Sequence, residues 1–139
     1  MDFTAEQVLA IQTQNRNLIV TAGAGSGKTR VLVERFLTML DSNPDWTLMQ
    51  PVAITFTEKA AREMRDRVRE AIRKRIQAAD AESAQRWRDH ESLLESANIG
   101  TIHSLCAQIL RANPAHVPVD PGFEVLDESE AFLLKSEAV

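Results

Sequence analysis

Residues 22–29 read AGAGSGKT, three glycines at alternate positions running into Lys28 and Thr29. Gly23, Gly25 and Gly27 have no Cβ, so the turn can take positive φ and bring main-chain N–H groups against an anion. Ala24 and Ser26 complete the turn. Lys28 supplies an ammonium for β- and γ-phosphate oxygens, and Thr29 a hydroxyl for the Mg2+ that accompanies them. The spacing is that of G-x-x-x-x-G-K-[ST], with Ala22 in the first glycine place, a difference of one methyl group. The chemistry is that of gripping a nucleoside triphosphate. What the triphosphate drives is not set by the loop, which serves kinases, transporters, GTPases and motors alike.

Such a loop acts only between a strand and a helix. Asn17–Thr21 is a short apolar run suited to a strand buried on both faces, and Val31, Leu32, Phe36, Leu37 and Leu40 recur at helical spacing after the turn. Upstream, Thr4-Ala-Glu-Gln7 has the form of a capping box, with Val8, Leu9 and Ile11 available for a buried stripe in a helix ending near Asn15. Pro51–Phe56 reads as a second buried strand. Thr57 caps a long helix that places Ala61, Met64, Val68, Ile72 and Ile76 on one side. Residues 79–96 are polar and helical in composition, and residues 97–101 form a third short strand. A helix from Ile102 to about Ala112 turns Ile102, Leu105, Cys106, Ile109 and Leu110 inward. Residues 113–122 are a proline-bearing loop, Phe123–Leu126 an extended stretch, and Asp127–Glu130 the cap of a last helix. Strands alternating with helices predict a parallel sheet in an α/β fold. Three strands make a short sheet, so the chain reads as an incomplete piece of such a domain.

The chain of 139 residues is 44% hydrophobic and 26% charged, the composition of a globular chain. No apolar run approaches the roughly 18 residues of a membrane span, and the N-terminus lacks the pattern of a secretory signal. One cysteine, Cys106, excludes an internal disulfide and reads as a small core residue. An intracellular, cytoplasmic protein is expected. The net charge of −4 speaks against nucleic acid in sum, but its distribution is uneven. Lys59, Arg62, Arg65, Arg67, Arg69, Arg73, Lys74 and Arg75 crowd one predicted helix, while acids dominate beyond Asp89. That pattern fits either a basic face or a solvated helix laced with i,i+4 ion pairs. His90, His103 and His116 have no ligand spacing, so no histidine metal site is expected.

Three blocks together carry a family resemblance. AGAGSGKTRVLVERF, then ITFTEKAAREMRDRV, then IGTIHSLCAQILR occur in an order and at distances that resemble the N-terminal part of UvrD/Rep-like superfamily 1 DNA helicases. The resemblance covers Phe3 to about Ala131 and implies a RecA-like P-loop NTPase sheet with flanking helices, ATP and Mg2+ as cofactors, and single-stranded DNA as partner. It implies that Gln7, in FTAEQ, recognises the adenine edge. The capping-box role of Gln7 stays open beside that one. Arg30 becomes a nucleotide-proximal arginine, with a solvated helix arginine as the other reading. Phe56 and Thr57 in the second block, and Thr101 and His103 in the third, become contacts to single-stranded DNA. The residues themselves agree in part: an aromatic ring emerging at the carboxyl edge of a parallel sheet can stack any base. Glu58 stands where many relatives carry asparagine, and a carboxylate beside a DNA phosphate is unfavourable.

The long charged helix between the second and third blocks, and the stretch VDPGFEVLDESEAFLL, resemble the helicase–nuclease (AddA/RecB-like) branch. That branch implies a large parent with a nuclease domain, acting with a second subunit on double-strand breaks. A repair-type helicase without nuclease, or a P-loop protein of another class, stays open beside it. Asp127-Glu128 is read as a helix cap and not as the Mg2+-binding acidic pair. With no acidic pair, arginine finger or adenine-stacking tyrosine in view, the 139 residues alone are expected to be inactive. The expected division is 1–112, the N-terminal part of the ATP-binding domain, and 113–139, the start of an inserted helical subdomain. A 3′ to 5′ polarity follows only from the resemblance.

Overall fold

The computed structural model describes residues 3–116, 118–120, 122–126 and 128–137. Two units divide the chain, Met1–Thr101 and Ile102–Val139. In the first unit the elements run α1 (Ala5–Gln12), α2 (Lys28–Ser42), β1 (Ala53–Thr55), α3 (Glu58–Ala78), α4 (Ala81–Ser92), a 3-10 turn (Leu94–Ser96) and β2 (Ile99–Thr101). β1 and β2 pair in parallel, Ala53 opposite Ile99 and Thr55 opposite Thr101. A parallel pair needs a crossover, and α3 with α4 supplies it. The architecture is therefore α/β, with a small parallel sheet and helices.

Helix starts follow the capping chemistry in the sequence. The Thr4 hydroxyl accepts from the Gln7 N–H at 3.3 Å while the Gln7 side chain accepts from the Thr4 N–H at 3.0 Å, a complete capping box. Thr57 accepts from the Ala60 N–H at 3.1 Å, and Asp80 from the Ser83 N–H at 2.9 Å. That last bond holds the Asp80 carboxyl below its ordinary range. Replacing Thr57 by alanine is expected to lower unfolding free energy by about 1 kcal/mol, the ordinary value of such a cap; urea denaturation of Thr57→Ala beside Thr57→Ser measures it.

Val33, Phe36, Leu37 and Leu40 of α2 meet Met64, Val68 and Ile72 of α3, with Trp87, Leu94 and Ile99 closing the core. The stripe expected on α3 is present, with Ile76 at its partly buried end. Its arginines do not form an i,i+4 ladder. Arg69 pairs with Asp66 and with Glu95 at 2.6 Å, Arg73 with Glu91 at 2.6 Å, and Arg75 with Glu34 at 2.5 Å. Most of these pairs tie α3 to other elements. The Arg86 guanidinium donates to the Leu40 and Asn43 carbonyls at the end of α2.

Three expectations are corrected. Asn17–Thr21 is not a buried strand: Leu18 and Val20 are exposed and Ile19 is 91% exposed. The described sheet holds only β1 and β2, so this run has no ladder to join and no layer over it. α1 ends at Gln12, and Leu9 points outward while Ala10 and Ile11 are buried. In the second unit, α5 (Ile102–Ala112) is helical as expected, but its stripe is not covered. Ile102, Ile109 and Cys106 are exposed, and only Ala107 of this helix is buried. Cys106 is thus not a core residue. Phe123–Leu126 joins no strand. The Arg111 guanidinium lies over the Phe123 ring at 4.7 Å and donates to the Phe123 carbonyl at 2.9 Å. α6 spans Glu128–Glu137; Asp127 lies outside the described residues.

One buried group gives the fold a pH dependence. His90 is 4% exposed, sits edge-on to Trp87 at 5.2 Å, and has no hydrogen-bond partner on either ring nitrogen. Burial, then the positive charge of Arg86, holds its imidazole below the ordinary histidine value, with Asp89 and Asp41 opposing. The unfolded chain takes up this proton near pH 6.5, whereas the folded chain resists it. The stabilisation is complete above that pH and is lost as pH falls through the depressed folded value. The urea midpoint is expected to drop between pH 7.5 and 5, and His90→Phe to flatten the drop.

Candidate nucleotide site and nucleic-acid rim

The glycine turn takes the conformation its composition demands. Gly25 (φ 76°) and Gly27 (φ 78°) are left-handed, and among the described residues no other residue has positive φ. Gly27 is the N-cap of α2 and brings no side-chain cap. The first N–H groups of a helix have no intrahelical acceptor, so the tip of α2 presents donors and the positive end of its dipole to whatever lies above the turn. A Cβ built at Gly23 or Gly25 would meet nothing within 4 Å. The turn is open on its outer side.

Lys28 folds back over this turn. Its ammonium donates to the Gly23 carbonyl at 2.6 Å and the Ala22 carbonyl at 3.0 Å. The Ser26 hydroxyl donates to the same Gly23 oxygen at 2.8 Å. Gln7 serves two purposes at once: besides closing the capping box, its amide donates to the Ser26 carbonyl at 3.1 Å. α1 therefore touches the loop directly. A cavity of about 750 Å3 opens there, and its lining includes Gln7, Ser26, Lys28 and Arg35 together with Leu18, Val20 and Leu32. Nucleotide-sized ligands occupy spaces of this order. Thr29 is exposed in the first turn of α2. Arg30 lies over the Phe3 ring at 4.1 Å. The loop residues and Gln7 are brought together. The start of α2 has no side-chain cap, and nothing lies within 4 Å of a Cβ built at Gly23 or Gly25, so the residues present fit a polyphosphate.

The second group gathers at the carboxyl edge of the sheet. Ala53 is buried, Ile54 exposed and Thr55 half-buried, and Phe56 leaves the strand fully exposed. Phe56 is therefore no part of the core. The Thr57 hydroxyl is taken up by its cap to Ala60. Thr101 is 7% exposed and its hydroxyl donates to the Glu58 carboxylate at 3.0 Å, so it faces a neighbouring side chain. The Thr55 hydroxyl donates to the Thr57 carbonyl at 3.1 Å. Thr55, Glu58 and Thr101 thus lash the rim from which Phe56 projects. His103 belongs to the other unit, where it is exposed in the first turn of α5. The role of Glu58 in binding Thr101 was invisible in the sequence, where the two stand 43 residues apart.

Among the described residues, no cluster of three or more histidine, cysteine or acidic side chains is placed to hold a metal, and no helix is long and apolar enough to cross a membrane.

Comparison with known proteins meets this geometry from outside. The chain is 44% identical over 138 residues to an ATP-dependent helicase/nuclease subunit of Clostridium botulinum, covering 99% of this chain and 11% of that protein. It is 40% identical over 139 residues to the identically named protein of Clostridium beijerinckii, with the same two coverages. The chain thus spans 11% of the length of these relatives. The profile of the family described as UvrD/REP helicase N-terminal domain matches residues 3–139, taking in the glycine turn, the rim and both units. A match of that extent settles membership: the chain belongs to the UvrD/REP helicase N-terminal domain family.

Proposed function

We propose that this chain is the nucleotide-binding part of an ATP-dependent DNA helicase, the helicase subunit of a helicase–nuclease that processes double-strand breaks. Its domain is of the RecA-like P-loop type, with residues 1–112 its N-terminal part and 113–139 the start of an inserted helical subdomain. The observation that carries the reading is the turn Ala22–Thr29, left-handed at Gly25 and Gly27 and set on the uncapped N-terminus of α2. Ala22 to Gly27 wrap the phosphates, Lys28 and Thr29 take the catalytic places, and Thr29 holds Mg2+ by its hydroxyl. Gln7 recognises the adenine edge, and Arg30 takes the nucleotide-proximal place that follows the loop.

Phe56, Thr57, Thr101 and His103 are the proposed DNA-contacting set. Phe56 is the stacking platform. Thr101, bonded to Glu58, contributes through the shape of the rim, and the N–H groups at the start of α3 meet phosphate. ATP closing its cleft moves this rim against a second domain, and the strand advances 3′ to 5′. The partners are single-stranded DNA and a second helicase–nuclease subunit, and the location is the cytoplasm. Residues 1–139 alone bind without turnover, because orienting water and neutralising transition-state charge draw on groups outside the phosphate cradle.

The names of the relatives and the family match support this reading. The test is ATP hydrolysis by the full-length protein with and without single-stranded DNA, followed by unwinding of a duplex bearing a 3′ tail. Stimulated hydrolysis with unwinding is expected. ATP hydrolysis indifferent to DNA would overturn the helicase reading and leave a P-loop enzyme of another class.

A further inference from the structure

α1 is the element that carries Gln7 to the loop, yet it is held weakly by packing: only Ala10 and Ile11 of its residues are buried. Its last carbonyls have no intrahelical donor, and it has no basic residue in its own last turn. Arg35, two turns into α2, supplies what is missing. Its Nη1 donates to the Ala10 carbonyl at 2.6 Å and to the Thr13 carbonyl at 2.5 Å. A guanidinium here also meets the negative end of the helix dipole. Gln14 adds a neighbouring tie, donating to the Ser42 hydroxyl at 3.0 Å.

Arg35 itself lines the cavity at the glycine turn, and we propose that it is a positioning residue for the triphosphate site whose effect runs through α1 and Gln7. The proposal rests on the reading that Ala22–Thr29 holds a triphosphate. α1 behaves as a short rod, pinned by Arg35 at one end and leaning on the loop through Gln7 and the Ser26 carbonyl at the other. Gln7 and Ala10 are one turn apart, about 4.5 Å along the axis, so any tilt allowed at Ala10 displaces the Gln7 amide. Losing the pin loosens the side of the loop that Ser26 closes.

A matched control exists in the same chain. Arg86 makes the same kind of bond, to the carbonyls of Leu40 and Asn43 at the far end of α2, remote in sequence from the loop. The experiment measures affinity for a fluorescent ATP analogue and melting temperature in the full-length protein. Arg35→Ala is expected to weaken the analogue about tenfold, the worth of one charge-assisted hydrogen bond. Arg86→Ala lowers the melting temperature comparably but keeps affinity within about twofold, as independent sites do. In a Gln7→Ala background, Arg35→Ala costs no further affinity. Arg35→Lys retains a charged donor and carries the same test if the alanine variant does not fold, with a loss of about threefold that vanishes in the Gln7→Ala background. Arg35 variants that track Arg86→Ala, or losses that add fully to that of Gln7→Ala, overturn the proposal alone. Wild-type protein that binds no ATP analogue overturns the triphosphate reading itself, and the proposal with it.

Discussion

Lys28→Ala in the full-length protein is expected to lower ATP turnover at least about a hundredfold, the scale on which a single transition-state charge partner acts. The ammonium is already held at the turn. Two of its three donors are engaged by the Ala22 and Gly23 carbonyls, at 3.0 and 2.6 Å, which leaves the third for a phosphate oxygen. Alanine removes that charge and also releases the Ala22 and Gly23 carbonyls, leaving the Ser26 hydroxyl on the Gly23 oxygen and the Gln7 amide on the Ser26 carbonyl to hold the turn. Lys28→Arg is not expected to restore turnover, because a planar fork cannot take the place of a compact ammonium between two carbonyls. Steady-state kcat and KM at saturating single-stranded DNA provide the measurement. A kcat within about threefold of wild type would mean that this turn does not carry the reacting phosphates.

How much of this was readable beforehand depended on how local the signal was. α3 was readable over nearly its whole length, since Thr57 supplies a cap and Ala61, Met64, Val68 and Ile72 recur at one helical face. The glycine turn was readable because left-handed φ has few other occupants than glycine. The run Asn17–Thr21 shows the limit. An apolar stretch looks the same whether or not a neighbouring strand lies beside it, and here none of the described strands does. The stripe of α5 failed for the same reason: periodicity names a face, not what covers it. At the site, the positions of Gln7 and Phe56 followed from their neighbours in sequence, whereas the Glu58–Thr101 and Arg35–Ala10 bonds join residues 43 and 25 apart. No window of sequence contains both partners of such a bond.

Phe56→Ala is expected to weaken binding of single-stranded DNA by about 1–3 kcal/mol, a factor between roughly five and a hundred and fifty. The ring is fully exposed at the exit of β1, beside residues tied by the Thr55–Thr57 and Thr101–Glu58 hydrogen bonds. Truncating it removes a stacking surface and leaves no core cavity, so loss of affinity and loss of stability separate cleanly. Aromatic chemistry is the feature being tested: Phe56→Trp should hold or improve affinity, while Phe56→Leu, similar in apolar character but lacking a π face, should resemble alanine. Because every base has a stacking face, the loss should be nearly the same on oligothymidine and on mixed sequences. It should also leave the slope of affinity against salt unchanged, since no phosphate contact is removed. Fluorescence anisotropy across a salt series reads both quantities. A flatter slope for Phe56→Ala would place the ring in the path of the phosphates and not of the bases, and unchanged affinity would take the strand off this rim altogether.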